Sequence, residues 1–157
     1  MTTTTAFAPE IATLDEQPVA LIRVTTTMDG IPQAMGTAFH ELEMAMKEAG
    51  GEITAGPPFA RYLSFGREIT FEAGCPIRRA FPTSGRIELG RLPAGEVATM
   101  IHVGPYERLS ATYDALNGWV AAQGRSPAGP MWEVYLTDPD TEPDKEKWLT
   151  KVFIPLR

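Results

Sequence analysis

The chain alternates between two spacings of hydrophobic residues, and these spacings predict its secondary structure. Short apolar or β-branched runs bounded by Gly and Pro predict strands, whereas apolar residues three and four positions apart predict the buried face of a helix. The first predicted helix begins at Pro32 and ends at Gly50-Gly51; the second begins at Gly104-Pro105 and ends at Gly124. Their apolar faces are Met35, Phe39, Leu42, Met46 and Ala49 in the first and Tyr106, Leu109, Tyr113, Leu116 and Val120 in the second.

Strands are predicted before and after each helix, and sharp turns separate them. Cys75-Pro76 is expected to break the strand that precedes it, and 138–147, which is acidic and contains proline, is expected to be a solvated loop. Residues 82–85 read as a linker between two halves. The predicted strands are 10–14, 19–25, 59–65 and 68–73 around the first helix, and 86–92, 96–103, 131–137 and 148–154 around the second.

The order of elements repeats along the chain. Gly56-Pro57 and Tyr62 recur 73 positions later as Gly129-Pro130 and Tyr135. The chain is therefore β-α-β-β twice, with one further strand in each half.

These two halves are expected to fold together. Neither pseudo-repeat, about 9–81 or about 86–157, has enough core alone, so we expect one α+β domain over 9–157. It should contain an antiparallel sheet with two helices and pseudo-twofold symmetry. A ligand groove is expected between the halves, where small molecules usually bind.

Composition and charge exclude several classes of protein. The 157 residues carry a net charge of −6, which disfavours a surface that tracks nucleic-acid phosphates. Cys75 is the only cysteine, so no intrachain disulfide is possible, as is usual in a reducing cytoplasm. Residues 1–8 are Thr-rich and expected to be flexible, without a signal-peptide pattern, and no apolar run is long enough for a bilayer. We therefore expect a cytoplasmic protein with no membrane and no direct nucleic-acid partner.

No metal or other cofactor is predicted. His40 and His102 are the only histidines, and no Cys or acidic cluster at metal-ligand spacing accompanies them. The chain also lacks a Ser-His-Asp arrangement, a P-loop and a dinucleotide-binding motif.

The stretch 129–135 carries one acid among aromatic residues. Side chains alternate across a strand, so Trp132 and Val134 share an apolar face that should meet the core, and Glu133 and Tyr135 share the other. A carboxylate beside a phenol suits a ligand pocket. The alternative is a plain salt bridge from Glu133 to a lysine or arginine, either Lys151 or Arg61.

Five short motifs lie at residues 56–62, 72–76, 103–106, 129–135 and 154–156. Together they resemble the GyrI-like, or bacterial effector-binding, domain family. They occur in the family's order and the resemblance covers roughly residues 9–157, nearly the whole chain. It implies a tandem β-α-β-β (SHS2) fold with a small-molecule pocket. Members of this family occur as the drug-sensing half of multidrug-responsive transcription regulators, as stand-alone proteins and in gyrase-inhibitory proteins, and some resemble hydrolases of cyclopropane-containing genotoxins.

The resemblance also implies the residues of the pocket. Glu133 matches the family's pocket acid, and Tyr135 lines the same pocket. Where the family often has Thr-Glu in the closing strand, this chain has Thr150-Lys151. Alternation would turn Lys151 and Phe153 towards the pocket, and a lysine in place of a second acid disfavours strongly cationic ligands.

Three further residues are candidates for ligand contacts, each with an alternative. Tyr62 supplies an aromatic wall. Tyr106 follows Gly104-Pro105 but has the spacing of a core residue. Glu72, the counterpart of Lys151 in the first half, either faces the groove or is a surface carboxylate.

Three hypotheses about function follow. The first is a stand-alone protein that captures amphipathic aromatic, neutral or cationic small molecules and either sequesters them or signals to a partner protein; too few residues precede the first strand for a helix-turn-helix. The second is a hydrolase of strained electrophiles, with Glu133 as general base and a phenol such as Tyr135 assisting. The third is a protein-interaction role such as gyrase inhibition, for which a charge of −6 is modest. The oligomeric state is not predicted.

Overall fold

A computed structural model describes residues 8–50, 52–83 and 85–157. They form two compact units, one from the residues up to Leu14 together with Gly95–Arg157, the other from Asp15–Ala94. Each unit is a four-stranded antiparallel sheet with one helix packed on one face, which confirms the α+β class. Of the predicted flexible N-terminus, residues 1–7 lie outside the described residues, as do Gly51 and Ser84.

The Asp15–Ala94 unit packs its helix on the middle of its sheet, which has the strand order β3-β4-β2-β5. Leu42 and Met46 on the predicted apolar face of the helix are buried against sheet residues such as Ile22 and Phe71. Its elements are β2 (Gln17–Thr26), α1 (Ile31–Glu48), β3 (Phe59–Ser64), β4 (Ile69–Pro76) and β5 (Ile87–Leu92).

The second unit has the same arrangement, with the strand order β1-β6-β8-β7. Leu116 and Val120 of its helix are buried against Ala98, Val152 and Ile154 of the sheet. A 3-10 turn, Tyr106–Arg108, leads into the helix. The elements are β1 (Glu10–Leu14), β6 (Gly95–Val103), α2 (Leu109–Ala122), β7 (Trp132–Tyr135) and β8 (Leu149–Pro155). No helix of the described residues is long and apolar enough to cross a membrane.

Each unit contains one strand that comes from the other half of the sequence. β1, at the start of the chain, pairs with β6, and β5, which begins the second half, pairs with β2. The extra strand of each sequence half thus completes the sheet of the unit built from the other half. The sequence predicted these strands but not the exchange. The pseudo-twofold axis, the repeat boundaries and the groove between the halves stay predictions.

Two boundaries differ from the prediction for identifiable reasons. β4 does not break before Cys75-Pro76 but runs through it, because Cys75 pairs with Ala20 and Pro76, the last residue of the strand, pairs with Val19. α2 does not start at Gly104-Pro105, because Gly104 has φ +123°, a conformation that a helix excludes.

Gly74 in β4 is a position where a side chain would be costly. A Cβ there would lie 2.5 Å from the ring of Phe59, which is fully buried, and 2.8 Å from the carbonyl oxygen of Ala20. We expect Gly74→Ala to lower the free energy of unfolding by about 1–3 kcal/mol. Chemical denaturation measures this change.

Gly36 in α1 provides the matched control. A Cβ there meets nothing within 4 Å, so Gly36→Ala should raise the free energy of unfolding by about 0.5–1 kcal/mol. An unchanged Gly74→Ala protein would contradict the packing of Phe59 against the backbone of β4.

Candidate ligand-binding site

The carboxylate of Glu133 is buried in the unit that contains α2. The residue is only 4% exposed, and in the sheet it pairs with Val152, whose side chain packs against α2. Cross-strand partners project from the same face of a sheet. Glu133 therefore points to the side of the sheet that α2 covers.

Two tyrosine hydroxyl groups hold this carboxylate. Tyr113 of α2 donates to Oε1 at 2.5 Å, and Tyr135 of β7 donates to Oε2 at 2.6 Å. Burial raises the pKa of Glu133 above its usual value, and the two phenol donors offset only part of that rise. None of the ion pairs among the described residues of this unit includes Glu133, so the predicted alternative of a salt bridge to Lys151 is wrong, whereas a salt bridge to Arg61 stays a prediction.

Tyr113 was not predicted as a site residue. Its position on the apolar face of the second helix predicted core packing, and its ring does pack beside the core of this unit. The spacing of apolar residues predicts only that the ring of Tyr113 lies on the buried face of the helix. It does not predict that the hydroxyl group extends beyond the ring and reaches Glu133. A tyrosine on a helix face opposite a strand that carries a lone acid is the signal that could have identified it.

Tyr106 forms the accessible side of the same site. It is 36% exposed, so it is not the core residue that its spacing allowed. Its ring lies 5.7 Å from that of Tyr135 and 4.8 Å from that of Trp148, centroid to centroid. Partial burial and then the charge of Glu133 raise the pKa of Tyr106. The site is thus a carboxylate bordered by a run of three aromatic rings.

His102 fixes the segment that carries these tyrosines. It is 5% exposed, its Nε2 lies 3.0 Å from the carbonyl oxygen of Pro105, and its Nδ1 lies 2.6 Å from the hydroxyl of Thr112. Because a carbonyl only accepts, Nε2 donates, and in a neutral ring Nδ1 accepts from Thr112. His102 thereby ties β6 to the residues next to Tyr106 and Tyr113. The sequence considered it only as a metal ligand and missed this role.

Comparison with known proteins assigns the chain to a family. The family model of the GyrI-like small molecule binding domain matches residues 7–157. The chain belongs to the GyrI-like family. This confirms the resemblance that the five motifs indicated. A comparison with curated proteins gives no match.

Solved structures show the same fold at low sequence identity. The C-terminal domain of EcmrR is 20% identical with a TM-score of 0.82, over 96% of this chain and 98% of that domain. In the EcmrR–DNA complex the TM-score is 0.85, and this chain spans 57% of EcmrR. A hydrolase encoded by lin2189 from Listeria innocua is 19% identical with a TM-score of 0.68, over 95% and 91% of the chains. SAV2435 bound to tetraphenylphosphonium is 10% identical with a TM-score of 0.63, over 96% and 94%.

In this GyrI-like chain, Lys151 and Phe153 lie on the face opposite Glu133. Lys151 pairs with Val134, and Phe153 pairs with Trp132, on which its ring stacks at 5.3 Å. The prediction that both residues face the pocket together with Glu133 is wrong, because the strand partner of Glu133 is Val152. Lys151 therefore gives no reason to disfavour cationic ligands.

Glu72 is the buried acid of an ion-pair cluster in the Asp15–Ala94 unit of the GyrI-like chain. It is 2% exposed and accepts from Arg61 at 2.6 Å and from Arg23 at 3.0 Å. The prediction of a surface carboxylate is wrong. Two guanidinium groups pair with this acid, and its role as a ligand contact stays a prediction.

Tyr62 lies on the α1 side of its own unit. Its ring stacks on Phe65 at 5.5 Å and lies 6.0 Å from that of Phe71. Its role as a ligand contact stays a prediction. Ala60 is the residue 73 positions before Glu133, and it is fully buried, so the acid occurs in one half of this GyrI-like repeat and not in the other.

The Asp15–Ala94 unit also has a surface depression of about 300 Å³. None of the seven residues predicted for the ligand site lines it. It therefore gives no support to the predicted site. The lining residues are Thr26, Gly30, Gln33, Ala34, Thr37 and Arg86.

Proposed function

We propose that this chain binds small amphipathic molecules that carry an aromatic group and are neutral or positively charged. Glu133 carries the proposal: it is a buried carboxylate whose partners are two phenol hydroxyl groups. A buried charge without a counter-ion costs several kcal/mol in effective desolvation. A bound cation, or a neutral ligand with a hydrogen-bond donor, would offset part of that cost.

The aromatic rings beside Glu133 favour a flat or aromatic ligand. Tyr106, Tyr135 and Trp148 are in successive ring contact, and Tyr106 is open to solvent on one side. A ring face attracts a cation by about 0.5–2 kcal/mol. Tetraphenylphosphonium, which SAV2435 binds on the same fold, combines aromatic rings with a positive charge. Its chemistry agrees with what Glu133 and these rings would accept.

Calorimetric titration with tetraphenylphosphonium tests the proposal. We expect the wild-type chain to bind it and Glu133→Gln to bind it about tenfold or more weakly, since two opposite charges about 6–8 Å apart attract each other by about 2–3 kcal/mol at an effective dielectric constant of about 20. Glu107→Gln is the matched control, because Glu107 is an exposed glutamate of the same unit, and it should bind like the wild type. An equal loss in both variants would trace the effect to net charge, and no loss in Glu133→Gln would refute the proposed role of Glu133.

A second experiment distinguishes binding of a ligand from its chemical conversion. One protein of this fold, that encoded by lin2189, is a hydrolase. Electrophilic ligands, including cyclopropane-bearing compounds, should be recovered after incubation with the wild-type chain, and their molecular masses should be measured by mass spectrometry. We expect them unchanged. A hydrated product that the wild type forms and Glu133→Gln does not would make Glu133 a general base and the chain an enzyme.

A further inference from the structure

We propose that the hydroxyl group of Thr150 is a second recognition point of this site, so that the preferred ligand carries a hydrogen-bonding substituent beside its aromatic or cationic part. The inference rests on the proposed function and narrows its ligand class. It would make Thr150 a specificity-determining residue.

Thr150 is buried without a partner. It is 0% exposed, and within the part of the chain that the structure describes its Oγ1 has no hydrogen-bond partner. Thr99 shows the usual situation: it is 2% exposed, and its hydroxyl donates to the carbonyl oxygen of Val152 at 2.9 Å. Leaving a buried hydroxyl unsatisfied is unfavourable, so a group that reaches Thr150 and pairs with it gains free energy.

The strand register places Thr150 inside the Glu133 site. It pairs with Tyr135 on one side and with His102 on the other, so all three side chains share the face that α2 covers. Directly opposite Cβ atoms are about 4.5–5.5 Å apart, and Glu133 is one diagonal step away, about 7–8 Å. A ligand that enters this site would therefore meet the carboxylate of Glu133 and the hydroxyl of Thr150 together.

The polar neighbours of Thr150 are already engaged elsewhere. Tyr135 donates its hydroxyl to Glu133, and both ring nitrogens of His102 are engaged with Thr112 and Pro105. A threonine hydroxyl both donates and accepts, so it suits a ligand hydroxyl, amine or carbonyl. Tetraphenylphosphonium has no such group. The preferred ligands are accordingly aromatic amines, phenols or carbonyl compounds rather than purely hydrophobic cations.

The test uses compounds that differ by one hydroxyl group. The probes are tetraphenylphosphonium and the 2-, 3- and 4-hydroxyphenyl triphenylphosphonium isomers, titrated into the full chain. We expect at least one isomer to bind the wild type about threefold to tenfold more tightly than tetraphenylphosphonium, the gain of one hydrogen bond. In Thr150→Val this ratio should fall to about one. Thr99→Val, which removes a buried hydroxyl on the opposite face, should keep the wild-type ratio.

Stability distinguishes recognition from a structural role. Removing an unsatisfied hydroxyl should leave the melting temperature of free Thr150→Val equal to or above that of the wild type. An unchanged ratio in Thr150→Val would overturn the proposal at any melting temperature, and a lower melting temperature beside it would assign Thr150 a structural role. A buried water on Thr150 Oγ1 that a crystal structure shows retained in the complex would also overturn the proposal. Failure of the proposed function has a different signature: no probe binds the wild type, or Glu133→Gln binds tetraphenylphosphonium as the wild type does.

Discussion

Affinity for tetraphenylphosphonium should rise with pH, by up to about tenfold per pH unit, until Glu133 is fully ionised. The carboxylate form binds the cation, and burial raises the pKa of Glu133 above its usual 4.5. Below the raised pKa, each bound cation must displace a proton, which weakens binding in proportion to the proton concentration. Above it, affinity should be constant. Titrations in two buffers of different ionisation enthalpy measure the released proton directly.

The free protein should show the opposite trend in stability. Between pH 4.5 and the raised pKa, the folded chain keeps a proton on Glu133 that the unfolded chain has lost. This contribution to stability is complete below pH 4.5 and disappears as the pH rises through the folded pKa. Denaturation of wild type and Glu133→Gln across this range should show a steeper fall in stability with pH in the wild type, and the difference between the two slopes is the contribution of Glu133.

Because other charged groups lie near Glu133, the pH dependence of binding must be compared with that of Glu133→Gln. His102 acts electrostatically on Glu133, and Asp138 acts on Tyr106. Both remain in Glu133→Gln, so any pH dependence they cause remains as well. Wild-type binding that follows the variant's pH profile would contradict cation capture by this carboxylate.

The spacing of apolar residues predicted most elements to within a few positions. β1 spans the predicted Glu10–Leu14, and α1 begins one residue before Pro32. The pairing of the strands was harder to predict from the sequence. The two halves share one pattern, so the sequence shows that an extra strand exists but not whether it joins its own half or the other. The exchange of β1 and β5 is a choice between equivalent sheet edges, which local patterning does not determine.

The site was predictable only where a single strand determines it. Alternation within β7 placed Glu133 and Tyr135 together, and the structure agrees. Lys151 was assigned to the wrong face because the face of β8 depends on its register with β7, and a shift by one residue reverses every side chain. Thr150 looks like any strand threonine until its burial and its missing partner are known.

Trp132→Ala should lower the free energy of unfolding by about 3–5 kcal/mol. Trp132 is 2% exposed, and its ring stacks on Phe153 with an interplanar angle of 12°. For a chain of this size the melting temperature should fall by about 6–20 °C, which differential scanning calorimetry measures. Leu136→Ala is the control, because Leu136 is 40% exposed, and its melting temperature should change by only a few degrees.

Binding by the folded Trp132→Ala protein tests the division of roles within β7. Trp132 and Glu133 are adjacent but project from opposite faces, since their partners in β8 are Phe153 and Val152. At a temperature where the variant is folded, its affinity for tetraphenylphosphonium should therefore change far less than that of Glu133→Gln. A variant that keeps its melting temperature but no longer binds would reverse this assignment and place the ligand on the Trp132 face. That result would also place Lys151 and Phe153 in the ligand site. The positive charge of Lys151 would then disfavour strongly cationic ligands.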